Sequence, residues 1–119
     1  MKDLPTVLII DDERSVIKVT SAILNRKGFN VFEASTKEDL LNILHESGSI
    51  IDFVLLDYCM PELNSHDVFR LIKNTTAGSQ IIITSGGLIT DKIQNLLDLG
   101  AKFVQKPFTF NALLEAFKT

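Results

Sequence analysis

Phe53-Val54-Leu55-Leu56-Asp57 is an unbroken apolar run that ends in a carboxylate. A strand with one wet face would alternate polar and apolar residues, whereas a run that is apolar throughout suits a central parallel strand covered on both faces. Similar segments recur on either side of it. Val7 to Ile10, Asn30 to Ala34, Gln80 to Thr84 and Phe103 to Gln105 are short and rich in β-branched or aromatic residues, so each reads as a strand. Between them lie longer segments with apolar residues at helical spacing. Ser15 to Lys27 carries Val16, Val19, Ile23 and Leu24 toward one side and stops at Gly28. Thr36, with Asp39 three residues later, opens a second helix that ends near Gly48. Its expected buried face is Leu40, Leu41, Ile43 and Leu44. Asp67 to Asn74 turns Val68, Leu71 and Ile72 inward, Thr90 to Leu99 stops at Gly100, and Asn111 to Lys118 forms the last helix. Five strands, each followed by a helix, predict a doubly wound α/β domain with a mostly parallel sheet.

The 119 residues, 45% hydrophobic and 23% charged, suffice for one domain with an ordinary core. A net charge of −3 and a pI near 5.3 leave no basic footprint, so direct nucleic-acid binding by this segment is not expected. Apolar runs such as Phe53 to Leu56 and Ile81 to Ile83 are far shorter than the roughly 20 residues that span a bilayer. No apolar core of a signal peptide follows Lys2. The expected compartment is therefore the cytoplasm, and a single cysteine, Cys59, suits its reducing conditions. The last helix ends at Lys118 without a capping signal or polar tail, so the domain reads as a candidate N-terminal part of a longer protein.

Ligands of an open parallel sheet bind outside the carboxyl ends of its strands. There the chain places Asp11, Asp12 and Glu13 after the first strand, Asp57 at the end of the third, Thr84, Ser85 and Gly86 at the fourth, and Lys106 and Pro107 after the fifth. Converging carboxylates repel one another and hold protons unless a cation is present. All-oxygen donors of this kind suit Mg²⁺ better than Zn²⁺. A carboxylate can also attack phosphorus to form an acyl phosphate, a step that needs a metal and a lysine to neutralise the phosphoryl oxygens and gains from a hydroxyl donor. Lys106 and Ser85 are the residues of those types, with Thr84 the competing hydroxyl.

Taken together, Val7-Leu8-Ile9-Ile10-Asp11-Asp12-Glu13, Leu55-Leu56-Asp57-Tyr58-Cys59-Met60-Pro61, Ile82-Ile83-Thr84-Ser85-Gly86 and Lys106-Pro107-Phe108 resemble the motifs of a bacterial two-component response-regulator receiver domain, in the right order and over nearly the whole chain. The resemblance implies the flavodoxin-like strand order 2-1-3-4-5 with helices on both faces. It also implies Asp57 as phosphoacceptor, Asp12 as direct Mg²⁺ ligand, Asp11 as a ligand mostly through water, and the backbone carbonyl of Cys59 as the third protein ligand. Ser85 would be the switch hydroxyl, Lys106 the cation that pairs with the phosphoryl group, Lys106-Pro107 a cis peptide, and Phe103 the aromatic switch. The implied donor is a sensor histidine kinase or a histidine phosphotransfer protein, and the implied reader an output domain or partner protein.

Two places depart from the family pattern. Ser65 stands where glycine is usual, which predicts either strain of order 1 kcal/mol at a positive φ or a different loop path, with Asn64 able to take the left-handed position. The segment from Gly100 to Lys106 is one residue short, which predicts a tight connection into the fifth strand. The competing functions are an aspartate-nucleophile phosphatase, a dinucleotide-binding domain and a degenerate receiver that only mediates contacts. The phosphatase would need Asp-x-Asp after the first strand, where this chain has an adjacent pair, and the dinucleotide site would need a glycine-rich loop that is missing. Against the degenerate receiver, all the key positions hold competent residue types. His45, His66, Lys92 and Lys102 read as ordinary surface residues.

Overall fold

A computed structural model describes residues 5–76 and 78–118, so the Met1 to Leu4 start and Thr119 lie outside the described residues. The strands are β1 (Thr6–Ile10), β2 (Asn30–Ala34), β3 (Phe53–Asp57), β4 (Gln80–Ser85) and β5 (Lys102–Gln105). The helices are α1 (Arg14–Arg26), α2 (Lys37–Ser47), α3 (Ser65–Thr75), α4 (Asp91–Asp98) and α5 (Phe110–Phe117), with a single 3₁₀ turn at Gly48–Ile50. All pairings are parallel and the order is β2-β1-β3-β4-β5. This is the doubly wound sheet expected. Strand order reverses between β1 and β3, and a crevice opens there at the carboxyl edge.

β3 has no wet face because both of its sides meet helices. Val54 and Leu56 join Leu8, Ile10, Ile81 and Ile83 in a core closed by α2, α3 and α4. Leu55 joins Val7, Ile9 and Ile82 in a second core closed by α1 and α5, whose Phe117 ring stacks on Phe53 at 4.5 Å. Each fully buried aliphatic side chain contributes about 1.5–3 kcal/mol by leaving water. Among the described residues, no helix is long and apolar enough to cross a membrane.

Helix ends follow local chemistry. Thr36 caps α2 by accepting the Asp39 N–H at 3.1 Å, while the Asp39 carboxylate accepts the Ser35 N–H at 3.2 Å. That backbone donor is the main reason the Asp39 carboxyl is held below its usual range. Gly28 and Gly100 adopt φ of 97° and 108° and close α1 and α4, each with a pair of bonds from its own N–H and that of the following residue, Phe29 or Ala101, back to helix carbonyls. Only Leu99, Gly100 and Ala101 separate α4 from β5, the tight connection expected. Gly48 works differently: its φ is −55°, and a Cβ there would stand 2.8 Å from the Thr75 carbonyl oxygen, so glycine lets α2 approach the end of α3.

Four expectations require correction. In α1 the buried stripe is Ile17, Thr20, Ser21 and Leu24; of the four residues expected there only Leu24 belongs to it, while Val16 and Ile23 are partly exposed and Val19 is 62% exposed. The i, i+3, i+4, i+7 set is intact, but two of its members are small hydroxyl residues, so polarity disguised the inward face. In α2, Leu40 and Leu44 are buried whereas Leu41 is 43% exposed, because it lies about 100° around the helix from Leu40. Lys102 is not an ordinary solvated charge: its ammonium donates to the Ala116 carbonyl at 3.0 Å and to the Lys118 carbonyl, capping the end of α5. His66 is half-buried rather than free on the surface, with Nε2 3.2 Å from the Tyr58 hydroxyl.

The corrected α2 face can be tested by chemical denaturation. Leu40→Ala is expected to cost about 2–5 kcal/mol, and Leu41→Ala no more than about 0.5 kcal/mol. Equal losses would mean the helix is rotated from the orientation described.

Candidate functional site

Parallel strands with matched register bring their carboxyl ends to one edge. Ile10 pairs with Leu56, so Asp11 follows β1 at the level of Asp57, and Ser85 pairs with Gln105, so Lys106 emerges just beyond. Asp11, Asp12 and Asp57 offer carboxylate oxygens within 4.8 Å of one another. Asp11 and Asp57 are only 3% and 4% exposed, whereas Asp12 faces solvent. Such a set of clustered oxygen donors, part buried and part open to water, fits a hard divalent cation.

Lys106 supplies the positive charge. Its Nζ lies 2.6 Å from Asp11 Oδ2 and 3.5 Å from Asp57 Oδ2. Burial favours the neutral amine, but the bond to Asp11 and the charges of Asp57 and Asp11 outweigh it, so the lysine holds its proton more firmly than usual. For Asp57 the largest influence is burial, which pushes its carboxyl above the ordinary range. The Cys59 N–H and Lys106 pull the other way, while Asp11 adds to the rise. The Lys106-Pro107 peptide is cis.

Neither aspartate of the first loop caps α1 through its side chain. Glu13 is the N-cap and makes no side-chain capping bond, while Asp11 Oδ1 accepts the Glu13 N–H at 2.9 Å. Asp57 Oδ1 likewise accepts the Cys59 N–H at 3.1 Å, so backbone groups orient both buried carboxylates.

The loop after Asp57 takes the different path anticipated as one alternative. No non-glycine residue among those described has a positive φ, so neither Ser65 nor Asn64 is left-handed. Asn64, at φ −83°, caps α3 by accepting the His66 and Asp67 N–H groups at 2.9 and 3.1 Å, and this starts the helix two residues before the expected Asp67. Ser65 is buried, and its hydroxyl donates to the Tyr58 carbonyl at 2.9 Å. The Tyr58 N–H donates to the Thr84 carbonyl at 2.8 Å.

Ser85 is buried beside this loop, its Oγ 3.9 Å from Cys59 Sγ and accepting the Gly87 N–H at 3.1 Å. Thr84 is buried one residue earlier, in register with Asp57. Phe103 lies apart from the acidic cluster: it is half-buried, pairs in register with Ile83 and packs against the core on the α2, α3 and α4 side. A groove of about 660 Å³ opens over Asp57, lined by Val16, Val19, Thr20, Cys59, Lys106 and Phe108 among others. The helical spacing of the valines at its rim predicts core, yet they border the groove. Their appearance beside polar Thr20 and Ser21 was the available sign that two faces of α1 are used.

Residues 7–118 match the family model for the response regulator receiver domain. The chain is 38% identical over 104 residues to a probable transcriptional regulator, ycf27, of Guillardia theta, covering 87% of this chain and 40% of that protein. It spans less than half the length of the first curated relatives it matches. Among solved structures, a response regulator receiver domain protein from Clostridium thermocellum is 32% identical with a TM-score of 0.86, covering 96% of this chain and 91% of that one. A response regulator from Burkholderia pseudomallei, solved with a phosphorylated aspartic acid, calcium ion and citrate, shares the fold at a TM-score of 0.87 and 19% identity, over 97% of this chain and 67% of that one. The chain belongs to the response regulator receiver domain family, a module of two-component signal transduction rather than a turnover enzyme.

Proposed function

We propose that Asp57 accepts a phosphoryl group from a histidine kinase or a histidine phosphotransfer protein, and that the product alters the surface read by an output domain or partner. The observation that carries this reading is the gathering of Asp11, Asp12 and Asp57 within 4.8 Å, with the Lys106 ammonium 3.5 Å from Asp57. A carboxylate oxygen of Asp57 forms the new bond to phosphorus as the bond from phosphorus to the donor nitrogen breaks, and the imidazole keeps that electron pair. Lys106 is placed to exchange part of its contact with Asp11 for a phosphoryl oxygen. Ser85 stands ready to donate a hydrogen bond to another.

Asp12, Asp57 and the Cys59 carbonyl would hold Mg²⁺ directly, and Asp11 mostly through water. When bound, Mg²⁺ neutralises negative charge on the transferring group. That a protein of this fold has been solved with a phosphorylated aspartic acid and a calcium ion supports only the coarser reading, that the fold accommodates both a phosphoaspartate and a divalent cation. For the relay, Ser85 moving toward the phosphoryl group would free space beside Ile83 and Phe103, which are paired on adjacent strands. The domain then forms the receiver part of a longer, cytoplasmic protein; the length of its relatives supports the longer chain.

The donor must seat a histidine over Asp57. Val19, Val16 and Phe108 around the groove offer apolar contact there, and Val19 in particular has no core role. A small acyl phosphate would not need that contact, but a protein donor would.

Three outcomes are expected. Incubation with Mg²⁺ and a small acyl phosphate should add one phosphate to the intact mass of wild type and none to Asp57→Asn; no gain in wild type would sink the acceptor reading. Val19→Ala should slow transfer from a phosphorylated histidine protein about tenfold, the scale of a lost interface anchor, while leaving uptake from the small acyl phosphate near wild type because no charge is added to the groove. The third concerns stability without metal. Because the folded Asp57 pKa is raised above 3.8, its contribution is favourable at low pH and is lost as pH rises through the folded value. Asp57→Asn should therefore melt higher than wild type at pH 7. That gap should close as pH falls toward 3.8 and narrow when Mg²⁺ is added.

A further inference from the structure

We infer that Ser65 is a positioning residue that aims the Asp57 carboxylate through the single peptide plane joining Tyr58 to Cys59. The inference rests on the reading of Asp57 as acceptor. That plane carries two groups, the Tyr58 carbonyl and the Cys59 N–H, which a trans peptide points in opposite directions. Both are engaged. The carbonyl accepts from the Ser65 hydroxyl at 2.9 Å, and the N–H donates to Asp57 Oδ1 at 3.1 Å. Rotating the plane to break one bond breaks the other.

The hydroxyl is well placed for this role. Ser65 is 5% exposed, so water competes poorly for the Tyr58 carbonyl, and its position in the first turn of α3 is set by the Asn64 cap. The same Oγ lies 3.5 Å from the carbonyl of Asp57 itself, a longer contact on the same side of the loop. Hydrogen bonds in series polarise the amide between them, so donation into the carbonyl strengthens donation from the N–H. A glycine, usual at this place in the family, has no group to offer that carbonyl. In this chain the serine both tightens the loop and holds the acceptor's orientation.

The test compares Ser65→Ala, Ser65→Gly and Ser65→Thr in the whole chain. Uptake of phosphate from a small acyl phosphate at saturating Mg²⁺ should fall about tenfold in the Ala and Gly variants, the low end for an outer partner of a metal site. It should stay near wild type in Ser65→Thr, which keeps the hydroxyl. Independently, the Cys59 amide proton of metal-free, unphosphorylated protein should move upfield in the Ala and Gly variants and hold its place with Thr. An unmoved Cys59 amide in Ser65→Gly, or wild-type uptake by the Gly and Ala variants, overturns the inference. So does a folded Thr variant as slow as Ala. If wild type itself takes up no phosphate, the acceptor reading fails, and the amide shift alone then decides whether Ser65 holds the plane.

Discussion

Repulsion among three carboxylates at one sheet edge is the constraint on which the rest of the site depends. Two like charges within 4.8 Å of one another cost at least roughly 3 kcal/mol at an effective dielectric of 20, a large share of the 5–15 kcal/mol that holds a domain together. Lys106 offsets much of this by reaching from β5 to Asp11, 95 residues away in the chain, at 2.6 Å. The ammonium arrives there because β3 and β4 lie between β1 and β5 in the sheet order and end at the same edge. Fold and charge balance are therefore coupled: displacing β5 would strand two buried carboxylates without their cation.

The same coupling makes the site responsive. A group that adds negative charge at Asp57 competes with Asp11 for Lys106, and any divalent cation among the acids relieves the repulsion that the lysine now offsets alone. The loop of residues 58–64 does not share this freedom. It is tied to β4 through the Tyr58 N–H and to α3 through Ser65 and the Tyr58–His66 contact. The Asp57 carboxylate is thus held from the backbone side by the Cys59 N–H at 3.1 Å, whereas Lys106 reaches it only with the end of a long side chain, at 3.5 Å.

Much of this was legible along the chain. Short apolar runs rich in β-branched residues located all five strands, and the charged and hydroxyl residues that closed four of them marked the working edge, because a parallel sheet puts every strand end on the same side. Helix faces were less legible. The inward stripe of α1 runs through Thr20 and Ser21, and hydropathy favoured Val16 and Val19, which border the groove over Asp57 instead. Lys102 looked like any surface lysine because the carbonyls it caps belong to a helix end 14 and 16 residues downstream. His66 looked solitary because its partner, Tyr58, is brought near by a loop rather than by sequence spacing.

By itself the sequence determined the order of elements, the oxygen-rich chemistry of the strand ends and the exceptional residue at position 65. Those depend on residue type and local periodicity, which need no knowledge of neighbours in space. Tertiary structure alone decided that Lys106 pairs first with Asp11, that Phe103 stands back from the acids beside Ile83, and that Ser65 causes no backbone strain. Each of these outcomes depends on how two or more elements pack. For Ser65 the physical reason is plain: with Asn64 capping the helix at a negative φ, the loop needs no left-handed residue, and the hydroxyl that replaces glycine finds a buried carbonyl to satisfy.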